Sequence, residues 1–479
     1  MKRPPCTHTM TTLVSNIPVI QNILRTSFSN GLTRPLEWRK HQILQLARML
    51  QDNKEVFADA LYKDLGKPKL EAFGEIGVLI ERSVLSAQQL DDWTRPTSID
   101  CLDWQRSTQP TVYMAPKGTV LIIAPWNYPL ALVLQPLIGA IAAGCCAVCK
   151  PSEIASHTAM ALAEVMPQYL DSSAYRVVLG AVAETTKLLE LQWDHIFYTG
   201  NGRIARIIST AAAKFLTPLT LELGGKSPVI VDPSFDINLA AKRIIGGKAH
   251  NGGQICVSPD YIVIPRSHQD ILVSALKRFY AEFFPDGSLA SDSISRIVSP
   301  SHHARLMDLI KRSKSEVAFG GRTEGQSKIE LTVFKNVLPE DSLMEDEIFG
   351  PLLPIVAVEN MDAAIEFVRT RDHPLALYAF TDDPALKKRL LEETLSGAVV
   401  FNDLITQLAF NNLPFGGVGP SGYGRQYLKY TFEAFSYQRS SIDVPKELEP
   451  FLAARYPPYD DEKVKIMGAA VDMTIPPSS

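Results

Sequence analysis

The chain is 479 residues long, 46% hydrophobic and 21% charged, with a formal net charge of −4. That length exceeds what one hydrophobic core supports, so two or three domains are expected, and the composition is that of a soluble globular enzyme rather than a disordered or fibrous protein. With no basic stripe and no long acidic run, neither nucleic acid nor a general anionic surface is an expected partner.

Residues 1–36 carry Lys2, Arg3, Arg25 and Arg34, many Ser and Thr, and no acid before Glu37, a weak transit-peptide signature. Ile17, Ile20, Leu24 and Phe28 nevertheless fall at helical spacing, which predicts a folded helix over most of that stretch. Trp38 to Leu50 and Val78 to Leu90 show the same period. From Thr111 the character changes: Thr119–Ala124 is a β-branched run ended by Pro125, as in a buried parallel strand.

Pro129 to Cys149 is apolar for 21 residues, long enough to span a bilayer. It contains Gln135 and Pro136 and runs on into Lys150-Pro151-Ser152-Glu153, so a buried helix followed by a strand is the better reading. Of the six cysteines (Cys6, Cys101, Cys145, Cys146, Cys149 and Cys256), three lie within five apolar residues. That fits buried small side chains in a reducing compartment better than a disulfide framework. No second CxxC or histidine cluster completes a metal site around Cys146 and Cys149, and no metal is expected.

A helix at 156–166, a strand from Tyr175 to Leu179, a helix near 184–191 and a strand at His195–Tyr198 complete a strand–helix alternation typical of a doubly wound parallel sheet. A second alternation follows Glu222. Strands are expected at Pro228–Val231, Tyr261–Ile264, Leu352–Val358 and Ala376–Phe380, with helices at 236–250, 268–284, 301–312 and 362–370. The domain boundary is expected near Glu222–Gly225. The tail GAAVDMTIPPSS holds no membrane-length apolar run, so a soluble, cytoplasmic protein without a transmembrane segment is expected, with peripheral membrane association left open.

The chemistry concentrates in Asn251–Asp260 (NGGQICVSPD), which sets Cys256 behind two glycines, 34 residues after Glu222. A thiol is the best neutral-pH nucleophile among side chains, and paired glycines permit close backbone approach with N–H groups free for an oxyanion. Glu222 can take a proton from the thiol or from a water that attacks afterwards. Gly200-Asn201-Gly202-Arg203-Ile204-Ala205 fits G-x-G-x-x-G/A between a strand and a helix, either a diphosphate turn or a plain tight turn. Glu222, some 20 residues on, sits where such fingerprints place a ribose-binding acid, a rival role for it.

Lys150 and Glu153 lie just past a strand end, where they can hold two ribose hydroxyls or form an exposed turn. In Pro125-Trp126-Asn127-Tyr128-Pro129, Asn127 can aim its amide at an oxyanion together with the Cys256 N–H, or form an Asx turn. Glu347–Pro351 and Leu413–Gly417 are rigid aromatic–glycine turns. The nine histidines are scattered, and His195, inside a strand, reads as structural.

In this order the motifs resemble the NAD(P)-dependent aldehyde dehydrogenase superfamily over roughly residues 14–460, and within it the class 3, or fatty and aromatic aldehyde, branch. PWNYP, QPLIGAIAAGCCAVCKPSE, TPLTLELGGKSP, LPFGGVG, FEAFSYQRS and the RYPP at Arg455–Pro458 carry the likeness. The resemblance implies an α/β fold with two doubly wound parallel-sheet domains and a small β bridging or oligomerisation element. Residues 14–98 and 115–222 would bind NAD(P), 223–400 would form the catalytic domain, 99–114 and 401–445 the bridging element, and 446–479 a tail.

By matching position, Cys256 resembles the nucleophile, Glu222 the base for the deacylating water and Asn127 the oxyanion amide. Trp126, Lys150, Glu153, Gly200, Asn201, Glu347 and Phe349 match the cofactor contacts. The implied reaction oxidises an aldehyde to the acid through a cysteine thioester, with NAD and, in related enzymes, NADP as well. Medium- or long-chain aliphatic, aromatic or isoprenoid-type aldehydes are the implied substrates, and a homodimer the implied assembly.

Three departures stand out. Ala205 replaces a second glycine, Asn411 and Asn412 precede LPFGG, and the apolar anchor of many membrane-bound class 3 enzymes is not seen. Other readings are release of the thioester to coenzyme A or phosphate, a catalytically silent binding protein, and a cysteine hydrolase, for which His250 is the only nearby histidine.

Overall fold

The run Thr119–Ile123 is fully buried, as its β-branched composition requires, and forms the middle of a six-stranded sheet. The computed structural model describes residues 11–468, 471 and 474–477, so Lys2, Arg3 and Cys6 lie outside the described residues. The strands of this first sheet run, edge to edge, Gly422–Tyr423, Leu219–Glu222, His195–Thr199, Thr119–Ile123, Cys146–Lys150 and Tyr175–Val177. All pairs are parallel except Gly422–Tyr423, which lies antiparallel to Leu219–Glu222 with Gly422 opposite Glu222.

The second sheet has seven strands in the order Glu316–Phe319, Thr332–Lys335, Leu352–Val358, Tyr261–Pro265, Pro228–Val231, Ala376–Phe380 and Ala398–Phe401. It too is parallel apart from one antiparallel edge, Glu316–Phe319. One face buries Ile244, Ile245, Leu272 and Leu276 from the helices Ile237–Ala249 and Gln269–Phe283. The other buries Leu306, Ile365 and Leu390 from Pro300–Arg312, Met361–Arg369 and Pro384–Glu393. Helices on both faces explain why these strands read as continuous apolar runs.

The 21-residue apolar run resolves as Ala131–Ala143, a buried helix, and the strand Cys146–Lys150. Among the described residues no helix is long and apolar enough to cross a membrane. Cys145, Cys146 and Cys149 are fully buried, and burial pushes their thiols up to about 11, 12 and 12, which makes them inert packing groups. His195 is likewise a core residue, its Nε2 3.0 Å from Thr220 Oγ1 and its ring held neutral by burial.

Two compact units emerge. One takes the chain up to Trp93 together with Pro116–Ser436, and the other takes Thr94–Ala115 and the chain from Tyr437 on. Residues 401–436, grouped above with the bridging element, therefore belong to the body, because Gly422–Tyr423 completes the first sheet. The second unit is built on a three-stranded sheet in the order Thr97–Ser98, Thr111–Pro116, Ser436–Ser441.

Candidate active site

Within the larger unit the chain leaves the first sheet at Glu222 and enters the second at Pro228, and the segment 251–257 leads into the second sheet's strand Tyr261–Pro265. Asn251, Gly252 and Gly253 all have left-handed backbones (φ +49°, +62° and +73°). A Cβ at Gly253 would lie 2.3 Å from Gly350 O. A Cβ at Gly252 would lie 2.8 Å from Ser295 O, so both glycines permit close packing of this turn, one against Ser295 and one against Gly350. Gln254 locks the loop: its Nε2 donates to Asn251 O (3.0 Å) and Arg296 O (2.9 Å), and its Oε1 accepts Val298 N–H (3.1 Å).

The Cys256 thiol is held well above its ordinary range. Burial is the main cause, with the carboxyls of Glu347 and Glu222 adding to it, while the N–H groups of Cys256 and Val257 oppose. Glu222, at the end of its strand, is 2% exposed, and neither of its oxygens has a hydrogen-bond partner. Burial raises its carboxyl well above the usual range, with only Arg425 opposing. A buried polar group without a partner costs roughly 1–3 kcal/mol, a cost that packing alone gives no reason to carry.

Asn127, 2% exposed, donates its amide to Gln254 O at 3.1 Å. Its main-chain oxygen accepts Asn251 Nδ2 at 3.0 Å and Lys67 Nζ at 3.3 Å. It is thus no Asx turn but a clamp onto the nucleophile loop, and its second N–H remains available. Tyr378 donates its hydroxyl to Val257 O (2.6 Å) and accepts Gln407 Nε2 (3.1 Å), tying the 406–409 turn to the residue after the thiol.

The remaining residues named from the sequence lie around the same strand ends. Lys150 is buried and pairs with the half-exposed Glu153 at 2.7 Å. Gly200 donates its N–H to Glu222 O at 3.0 Å, and the Asn201 side chain caps the helix Gly202–Ala213 by accepting Ile204 N–H at 3.0 Å. The first-turn donors left for a diphosphate are thus those of Gly202 and Arg203. Ala205 is 3% exposed on the inner side of that helix, so its methyl belongs to the core.

Trp126 stands edge-on to Phe349 (5.2 Å) and His302 (4.8 Å). Phe349 has φ +52°, a left-handed conformation costing on the order of 1–3 kcal/mol for a side-chain-bearing residue. The turn is held there by Lys226, which bonds Asp260, Leu343 O and Asp346 O, and by Ile348 N–H on Asp260 Oδ1 (2.9 Å). Glu347 lies so close to the 223–225 turn that a Cβ at Gly224 would sit 2.2 Å from its Oε2. Burial and nearby Asp260 push its carboxyl to about 8.

Residues the sequence reading did not single out as site groups include Lys67, Glu75, Asn251, Gln254 and Tyr378. In the NGGQ string only the glycines were given a role, while Lys67 sits 60 residues from its partner Asn127 and left no local trace.

A thiol, an unpartnered carboxyl that bears on it and an amide anchored to the thiol's loop define a two-sheet α/β enzyme built for covalent chemistry. Residues 26–441 match the aldehyde dehydrogenase family. The chain is 42% identical over 450 residues to mouse "Aldehyde dehydrogenase family 3 member B2", covering 94% of each. It is 40% identical over 447 residues to mouse "Aldehyde dehydrogenase, dimeric NADP-preferring", covering 93% of this chain and 98% of the relative.

The structure "Substrate bound state of Staphylococcus Aureus AldH" superimposes with a TM-score of 0.91 at 36% identity, covering 96% of this chain and 100% of that one. The chain belongs to the aldehyde dehydrogenase family, and it is an NAD(P)-dependent enzyme that oxidises aldehydes to carboxylic acids.

Proposed function

We propose that Cys256 is the nucleophile, that Asn127 and the Cys256 N–H receive the oxyanion, and that Glu222 is the base for the water that releases the acid. The observation that carries this assignment is the buried, partnerless Glu222 carboxyl bearing on the Cys256 thiol. Cys256 Sγ gives up its proton to solvent and bonds to the aldehyde carbon, and the carbonyl oxygen takes the π pair to become an oxyanion facing the free Asn127 N–H. Collapse of that oxyanion restores C=O, leaving a thioester as the hydride departs. A bound nicotinamide supplies the acceptor for that hydride. Glu222 then takes a proton from water as the water oxygen attacks the thioester; the C–S bond breaks and the sulfur takes that proton from Glu222, which restores the carboxylate.

The residues present fit a dinucleotide. Glu222 and Glu347 leave unpartnered or weakly partnered buried acceptors beside the thiol, and Lys150 with Glu153 stands at a strand end. Lys150 and Glu153 would hold the adenosine ribose, Gly200 and Asn201 would shape the diphosphate turn, and Trp126, Glu347 and Phe349 would line the nicotinamide side. Glu153 favours NAD, since its carboxylate would repel a 2′-phosphate. The relative named NADP-preferring makes paired assays with both cofactors the direct check.

Phe410 and Leu413, both about half exposed, sit on the loop that Gln407 and Tyr378 tie to Val257, which supports an apolar aldehyde: medium- or long-chain, aromatic or isoprenoid-type. Glu222 beside the thiol favours water over coenzyme A or phosphate as acyl acceptor.

A homodimer accords with the exposed outer strand Ser436–Ser441. Sedimentation equilibrium should then return the mass of two chains, and the mass of one chain would sink that reading. The five free cysteines among the described residues accord with a reducing, cytoplasmic setting. Replacing Cys256 by Ala tests the core assignment: aldehyde oxidation should vanish while NADH still binds, and near-normal turnover would overturn it.

A further inference from the structure

Lys67 and Glu75 are both completely buried and pair at 2.6 Å. Such a pair roughly breaks even in stability against apolar side chains of the same volume, so its reason is sought in what it holds. Lys67 Nζ also donates to the main-chain oxygen of Asn127 at 3.3 Å and lies 3.9 Å from the centre of the Tyr128 ring. Glu75 uses its other oxygen to accept the N–H groups of Leu130 and Ala131, each at 3.0 Å, at the start of the helix Ala131–Ala143. One ion pair therefore grips the PWNYP loop at two points, on either side of Pro129.

Asn251 Nδ2 reaches the same Asn127 oxygen at 3.0 Å. With its main chain clamped from both sides, Asn127 extends its amide to Gln254 O, two residues before Cys256, and keeps one N–H free. The 2.6 Å bond that braces Lys67 on Glu75 is charge-assisted and short, and an oxyanion donor must be held to within about 0.5 Å to be worth its full effect.

We propose that Lys67, braced by Glu75, is the positioning residue of the oxyanion site: it fixes the Asn127 main chain so that the free amide N–H meets the oxyanion formed on the Cys256 adduct. This rests on the reading of Asn127 as oxyanion donor. Lys67 itself touches neither substrate nor reacting atoms.

The test is a double-mutant cycle on the full-length chain with saturating NAD and hexanal as substrate. K67M/E75Q removes both charges together, so no lone charge stays buried, and the Gln oxygen can still accept from Leu130 and Ala131. Its kcat/KM should fall about 10- to 100-fold, the scale of a misplaced catalytic group, mostly through kcat, with NADH affinity unchanged. In an N127A background the same pair of changes should cause no further loss.

A loss that multiplies undiminished on N127A, or wild-type kcat/KM in K67M/E75Q, overturns the inference and leaves Asn127 its role. Wild-type kcat/KM in N127A alone overturns the oxyanion reading and this inference with it. Should K67M/E75Q not fold, judged by absent NADH binding, E75Q alone enters the same cycle, with a smaller loss and the same two deciding outcomes.

Discussion

At the residue scale the site is charge-poor. Burial raises the carboxyls of Glu222 and Glu347, the latter to about 8, and the thiol of Cys256, and a carboxylate at either acid makes the thiolate harder to form. Activation therefore has to arrive with the reaction: a thiol that waits neutral is protected from stray electrophiles. Glu222→Gln separates the two halves of the cycle. A stopped-flow trace should keep its first-turnover burst of NADH, while the steady state slows about 10²–10⁴-fold as general-base help is lost. Burst and steady state falling in equal proportion would move Glu222 to the acylation half. Removing the acid should also shift iodoacetamide alkylation of Cys256 to lower pH.

At the scale of elements, close approach decides more than propensity. Gly139 lies inside the helix Ala131–Ala143, where Ala would ordinarily gain about 1 kcal/mol over Gly. A Cβ there would lie 2.2 Å from Thr431 Cγ2 and 2.9 Å from the Thr431 main-chain carbon. The threonine methyl can turn aside; the main chain cannot. Gly139→Ala should therefore destabilise, by the ~1–3 kcal/mol typical of overpacking, as a lowered midpoint in urea. A raised midpoint would mean that Lys429–Ala434 is free to slide.

Most strands with continuous apolar runs were legible in the sequence, though Ala398–Phe401 was passed over; Glu316–Phe319 and Gly422–Tyr423 were not legible. One is a half-exposed antiparallel edge and the other only two residues long, so neither carries a buried-strand pattern. The helix Pro384–Glu393 did have its signals, Asp383 as N-cap and Pro at the first turn, and was nonetheless passed over.

At the scale of the whole molecule, buried acids set the pH dependence of stability. Glu71 and Glu347 keep their protons to about 7 and about 8, against an ordinary 4.5. Between those limits the folded chain binds more protons than the unfolded one. Stability is thus full below about pH 4.5 and declines as pH climbs toward 8, by up to about 1.4 kcal/mol per unit of difference for each group. Melting of the cofactor-free protein should fall across pH 5–8, and Glu347→Gln should flatten the curve. Superimposable curves would show that Glu347 is ionised in the folded state.

What the sequence determined by itself is whatever is written in neighbouring residues. The β-branched and helical periods announce two α/β sheets, and short strings such as NGGQICVSPD, LELGG and PWNYP mark the thiol, the acid and the amide. What only the tertiary structure decided is who faces whom: Lys67 under Asn127, Glu347 against the 223–225 turn, Tyr378 behind Val257, and Gly252 and Gly253 against Ser295 and Gly350. Periodicity follows from local backbone geometry and is repeated along the chain. A contact between residues 60 or 121 apart is fixed by how the layers pack, and it leaves no period for a reader of the sequence to find.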